Sequence, residues 1–93
     1  MFAVVVREAG DAGMIDGSAG MVAERVVPRV RQSRGFVSAV WMTDGSGHTL
    51  NVIVFDSEDA ARDALDAARD APRPPFMRVD AVDLFEVLAA AGA

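Results

Sequence analysis

The sequence predicts an α+β fold in which strands and helices follow the order β-α-β-β-α-β. Three observations predict it: a β-rich opening run at residues 2–7, a hairpin signature across residues 36–55, and two helix-like stretches that separate strands. Ninety-three residues make one domain, 1–93, because a chain this short holds a single core.

Residues 2–7 form the first strand, and residues 8–20, rich in Gly, Asp and Ala with no hydrophobic period, read as a long loop. Ser18 can cap a helix start, and Met21, Val22, Val26, Val27 and Val30 recur near helical spacing, with Glu24, Arg25, Arg29, Arg31 and Gln32 facing out. Pro28 removes one backbone hydrogen bond from this helix and predicts a kink, or else a helix that begins only a turn before that proline; the kink is the preferred reading. Gly35 ends it at the usual C-terminal glycine position. Residues 36–43 and 48–55 are strands joined by Asp44-Gly45-Ser46-Gly47, which is strong turn chemistry. Asp56 and Ser57 offer caps for a second helix to about Asp70, whose inner stripe is Ala60, Ala61, Ala64, Leu65 and Ala68. Pro72, Pro74 and Pro75 stop it, and residues 76–88 make the last strand, with a helical reading of 82–90 also open.

Composition excludes whole function classes. All nine basic residues are Arg, so there is no Lys for a Schiff base or a Walker-type phosphate loop. Cysteine and tyrosine are absent and there is a single His, so no metal site of two His or of thiolates can be built in one chain. The net charge of −5 repels phosphate backbones and argues against a nucleic-acid partner. The longest apolar runs fall far short of the roughly 20 residues that span a bilayer, and no basic segment precedes the first strand. A cytoplasmic protein with no membrane partner is the expectation.

Two crossover helices in this order pack on one face of a four-stranded antiparallel sheet, giving a ferredoxin-like arrangement. A four-residue hairpin turn places Val37, Ala39 and Trp41 beside Val54, Val52 and Leu50, an apolar set suited to the helix side. The opposite set is then Phe36, Ser38, Val40 and Met42 beside Phe55, Ile53, Asn51 and Thr49. A sheet face this rich in Phe, Ile, Val and Met calls for a cover, and a second copy of the chain supplies one, with room for a ligand between the sheets.

Gly35-Phe36-Val37 opening the second strand, and Asn51-Val52-Ile53-Val54-Phe55-Asp56-Ser57-Glu58-Asp59-Ala60 passing from third strand to second helix, resemble the dimeric α+β barrel superfamily. Within it the likeness is to antibiotic-biosynthesis-monooxygenase-like domains. The resemblance spans nearly the whole chain and implies a homodimer. In the cofactor-independent, quinone-forming members an Asn and a Trp four residues apart on the third strand, with a Tyr on the next helix, bind a phenolic substrate. Asn51 matches the Asn, while Phe55 stands at the Trp position and Ala61 at the Tyr position. Haem-degrading members carry an Asn on the first strand and a ligating His near the second helix. This chain has Ala3, Val4 and Val5 in that strand and no His there, so no cofactor is implied.

The candidate ligand-binding residues are therefore Asn51, Phe55, Phe36, Ser38 and Met42, with no catalytic residue assigned. An amide on an apolar face must find hydrogen bonds, either with a ligand oxygen or across the strands. Trp41 reads as core, His48 as an exposed turn residue with Asp44 as its one nearby carboxylate, and Arg25 with Arg29 as a solvated face. The glycines of residues 10–20 lack phosphate-loop spacing and read as a plain loop or a flap over the barrel mouth. Two functions stay open: a small-molecule-binding protein acting as a cofactor-independent monooxygenase on an aromatic or polyketide-like substrate, and a non-catalytic ligand-binding or dimerisation module.

Overall fold

The computed structural model describes residues 1–92. The chain runs β1 (Phe2–Gly10), α1 (Ala12–Asp16), α2 (Ala19–Met21), a π-helical turn (Val22–Val26), α3 (Val27–Arg31), β2 (Phe36–Thr43), β3 (His48–Phe55), α4 (Glu58–Asp70) and β4 (Met77–Glu86). The four strands form one antiparallel sheet in the order β2-β3-β1-β4, the ferredoxin-like arrangement. α4 packs over β1, β3 and β4, and α3 lies against β2. The core sits between α4 and the sheet, where Ala60, Ala61 and Leu65 meet Val4, Val6, Phe55 and Val82. Phe55 is 1% exposed, and burying a side chain of that size contributes about 1.5–3 kcal/mol.

α4 begins because Ser57 is extended and its hydroxyl accepts the Ala60 N–H at 3.2 Å, while Glu58 and Asp59 lie in the positive first turn. It ends at Ala71, which is extended ahead of Pro72. The hairpin strands start and stop at the residues read from the sequence, but their register differs. A four-residue turn would set Thr43 opposite His48, whereas the structure sets Thr43 opposite Thr49 and Trp41 opposite Asn51. Asp44 causes this. Its Oδ1 accepts the N–H groups of Ser46 (2.7 Å) and His48 (3.2 Å), and the Asp44 N–H donates to the His48 carbonyl at 3.1 Å. His48 is thereby drawn into the turn. Val37 is left unpaired as a bulge, since Phe36 pairs with Phe55 and Ser38 with Val54.

The face of β3 is therefore the reverse of the sequence expectation, and Phe36 moves with it, while Ala39 and Trp41 stay on the helix side and Ser38, Val40 and Met42 on the open face as expected. Phe55, Ile53, Asn51 and Thr49 lie opposite Phe2, Val4, Val6 and Glu8 on the helix side. Leu50, Val52 and Val54 line the open face with Ser38, Val40 and Met42 of β2. On β4 a second bulge at Asp80, between the pairs Arg7–Ala81 and Glu8–Val79, breaks the single alternation expected there. Residues 82–86 are strand, and the helical reading does not hold.

Residues 8–20 are not a loop. β1 continues to Gly10, Asp11 caps α1 by accepting the Met14 N–H at 2.9 Å, and Ile15 is buried as its anchor. A helix of five residues is too short to show a period, which hid it from sequence reading. Ser18 does not cap α2; its hydroxyl donates to the Ile15 carbonyl at 2.6 Å. The expected kink at Pro28 takes the form of the π-helical turn that precedes it. Val27 N–H bonds to the Val22 carbonyl, and this wider turn relieves the clash a proline ring makes with the carbonyl four residues back.

Two predictions follow from the turns. Gly35 (φ +75°) is left-handed and an added Cβ would stand 2.6 Å from Asp56 Oδ1 and 2.8 Å from the Ala60 Cβ, whereas Gly45 (φ +77°) faces open space. Gly45→Ala should cost about 1 kcal/mol for the backbone alone, and Gly35→Ala about 2–4 kcal/mol, read from urea midpoints. The Asp44 carboxyl is held below its ordinary pKa, chiefly by the Ser46 N–H. A lowered carboxylate pKa stabilises the fold above the unfolded-state value and loses that effect as pH falls through the folded one. Protection of the Ser46 and His48 amides, as the exchange rate relative to the intrinsic rate at the same pH, should persist at neutral pH and fall only in acid below the usual carboxylate range, with Asp44→Ala unprotected throughout.

Candidate functional site

α4 covers one half of the sheet and the α2–α3 arm leans over the other, leaving a cleft of about 990 Å³ between them. That volume suits a small organic ligand. Its walls are apolar: Trp41, Ile53 and Phe55 from the sheet, Val22, Val26 and Val30 from the arm, and Ala64 and Ala68 from α4. Trp41 is thus a cleft residue, half-buried opposite Asn51, and not core.

One polar cluster interrupts these walls. Glu8, placed on the helix side by its position two residues after Val6, accepts from the Asn51 amide at 3.0 Å and the Thr49 hydroxyl at 3.3 Å, both on Oε1. Its Oε2 accepts from Arg73 Nε at 3.0 Å. Arg73 is fixed in turn by donating from Nη1 to the carbonyls of Ala68 and Ala71. The Glu8 and Arg73 side chains are only 11% and 14% exposed, so each removes the cost of desolvating the other. Glu8 only accepts, so the amide nitrogen of Asn51 must face it and Oδ1 must point elsewhere.

The residues expected to form the site are split. Asn51 and Phe55 line the cleft, and Phe36 shares their face through its pairing with Phe55. Ser38 belongs to the open face beside Val54. Met42 pairs with Leu50 on that same face, although it also reaches the cleft rim from the edge of β2. Glu8 and Arg73 were missed. Glu8 was legible as the one charge continuing the Phe2, Val4, Val6 alternation; Arg73, among prolines and 65 residues away, gave no signal. His48 lies outside the cleft with Nδ1 2.9 Å from Asp44 Oδ2, and both side chains are exposed. Arg25 and Arg29 stand at the cleft rim.

No protein-family model matches the chain, and no curated protein matches it in sequence. Solved structures do. The heme-degrader MhuD of Mycobacterium tuberculosis, with two hemes bound in its active site, is 19% identical at a TM-score of 0.72, covering 99% of this chain and 100% of that one. A monooxygenase from the gene ActVA-Orf6 of Streptomyces coelicolor, in complex with nanaomycin D, is 17% identical at 0.63, covering 99% and 91%. The NE2512 protein of unknown function from Nitrosomonas europaea is 17% identical at 0.67, covering 99% and 93%. These likenesses, each under 25% identical, show the fold alone, a ferredoxin-like α+β domain shared over nearly the whole chain. The cleft does not fit a haem held through an imidazole, thiolate or phenolate: its lining contains none, and the one His sits at the hairpin turn.

The cluster yields a prediction. Asn51→Asp sets a second carboxylate against Glu8, and two carboxylates at hydrogen-bond distance cannot both ionise cheaply. The variant should lose about 1–3 kcal/mol at neutral pH and regain part of it as the pH is lowered and the pair takes up a proton. Thermal unfolding at several pH values reads the difference.

Proposed function

We propose that the chain, as one domain, binds a small, mostly apolar, ring-bearing molecule in the helix-side cleft and acts on it as a cofactor-independent monooxygenase. The observation that carries this reading is the hydrogen-bonded cluster of Glu8, Asn51, Thr49 and Arg73 set among apolar sheet and helix residues in a cleft of about 990 Å³, with Asp16, Arg25 and Arg29 also in its lining. Trp41 would stack the ring, Ile53 would pack against it, and Asn51 Oδ1 would orient a substrate oxygen. The fold shared with a monooxygenase supports the reaction class. With a phenol as substrate and dioxygen as oxidant, the ring C–H and the O–H each yield a hydrogen to one oxygen atom, which leaves as water. The other oxygen atom becomes the new quinone carbonyl, and the substrate supplies every electron. No reductant is required.

A homodimer through the open face belongs to the same proposal, as does a cytoplasmic location. Val40, Met42 and Phe85 are 46%, 40% and 53% exposed there, beside half-buried Val5, Val52 and Val54. These residues make an apolar patch interrupted by Arg7 and Asp83, and exposed apolar patches often mark an interface. A second reading, binding without turnover, is favoured by one observation: protein donors already occupy most of the acceptor positions of Glu8.

Trp41, the only tryptophan, lines the cleft and reports its occupancy directly. Fused-ring phenols should quench its emission, and Val26→Phe, which fills the cleft, should weaken them about tenfold or more. Quenching with oxygen uptake supports the oxygenase, quenching alone supports the binding module, and a panel with no quenching removes the cleft from consideration. Val52→Asp should convert a dimer to a monomer in light scattering; a wild-type monomer at the same concentration would sink the covered-face argument.

A further inference from the structure

Glu8 lies where a ligand's polar end would rest, and its acceptor capacity is not exhausted. A carboxylate offers about four lone-pair positions. Thr49 and Asn51 fill both on Oε1, and Arg73 Nε fills one on Oε2. The last position on Oε2 has no donor among the described residues, on a side chain 11% exposed that lines the cleft. The bulge at Asp80 falls beside Glu8 in the β1–β4 ladder, and bulges of this kind re-aim a neighbouring side chain.

We infer that Glu8 is the specificity-determining acceptor of the cleft, held by Arg73, Asn51 and Thr49 so that its free Oε2 lone pair takes a ligand O–H and rejects ligands that present only acceptors. The inference rests on the proposed binding reading and deepens it. A ligand that displaces water from Oε2 without offering a hydrogen leaves a charged, desolvated oxygen unmatched and sets two acceptors against each other. A hydroxyl-bearing ring avoids both penalties. Arg73 Nη2 and the second hydrogen of Asn51 can still meet a carbonyl, but neither removes the exposed lone pair of Glu8. The oxidation described above converts a hydroxyl donor into a carbonyl acceptor. Glu8 therefore favours the reduced partner and expels the oxidised product, acting on affinity at both ends of a turnover.

Calorimetric titration of the whole chain with 2-naphthol and with 2-methoxynaphthalene tests this, since the two share a ring system and differ in the donor. The expected result is about tenfold or more tighter binding of 2-naphthol. In Glu8→Gln one carbonyl oxygen with two lone pairs faces three protein donors, so no acceptor is spare, and the ratio should fall to about threefold or less. Val26→Phe should weaken both probes while keeping the ratio. Equal wild-type affinities overturn the inference and leave cleft binding standing. Binding of neither probe overturns the binding reading and the inference with it. The wild-type ratio needs no variant, so it decides the matter even where Glu8→Gln fails to fold.

Discussion

The two hydrogen bonds that Asp44 accepts from Ser46 and His48 close the hairpin one residue later than a four-residue turn would. Side chains alternate across a strand, so this single residue decides what Trp41 faces. With Thr43 opposite Thr49, Trp41 falls opposite Asn51 and Ala39 opposite Ile53, all on the helix side. Had the turn closed earlier, Trp41 would have joined Leu50 on the open face and the cleft would have lost its largest aromatic wall. The bulge at Val37 then restores the pairing of Phe36 with Phe55 at the far end. A local carboxylate thus specifies the facing of Trp41 and Ala39, three and five residues back along the strand.

The cleft itself is a compromise between packing and vacancy. α4 uses alanines along its inner stripe and so comes close to β1 and β4, where Ala60 and Ala61 are buried. The arm carries valines, spans two short helices and a π-helical turn, and lies over β2, so the sheet between is left partly uncovered. Into that space the fold places an ion pair from the two ends of the chain. Glu8 on β1 and Arg73 after α4 hold the strand and the helix terminus together while supplying the polar end of the cleft. A salt bridge this sheltered contributes little net stability over an apolar pair, and its retention is better explained by what it orients.

Local chemistry was legible in the sequence; placement was not. The bounds of β2 and β3, the Ser57 cap, the left-handed Gly35 and the proline stop after α4 all follow from neighbours within a few residues. The helix in residues 12–16 was missed because five residues are too few to show a period, and the burial of Ile15 that anchors it depends on the rest of the fold. The face assignment of β3 failed because it assumed a four-residue turn, whereas Asp44 draws His48 into the turn; the bulge at Val37, which leaves no compositional mark, misplaced Phe36 alone. Asn51 was recognisable as a polar group among apolar ones, and its cross-strand bond to Glu8 is what such a group requires. Arg73 could not be paired with Glu8 without the sheet order that brings them together.

The sheet order also makes β2 and β4 its two edges, and they are built differently. β4 carries Arg78, Asp80, Asp83 and Glu86 and is broken by a bulge, devices that discourage another strand from adding to it. β2 reads Phe-Val-Ser-Ala-Val-Trp-Met-Thr, with no charge and no proline across its whole length, and half of its backbone groups have no partner strand. Of the two edges, β2 is therefore the one left open to another strand. Strand-to-strand growth, whether into an ordered assembly or into aggregates at high concentration, begins at β2, and a lysine or glutamate set into that edge is the simplest way to keep the protein in solution.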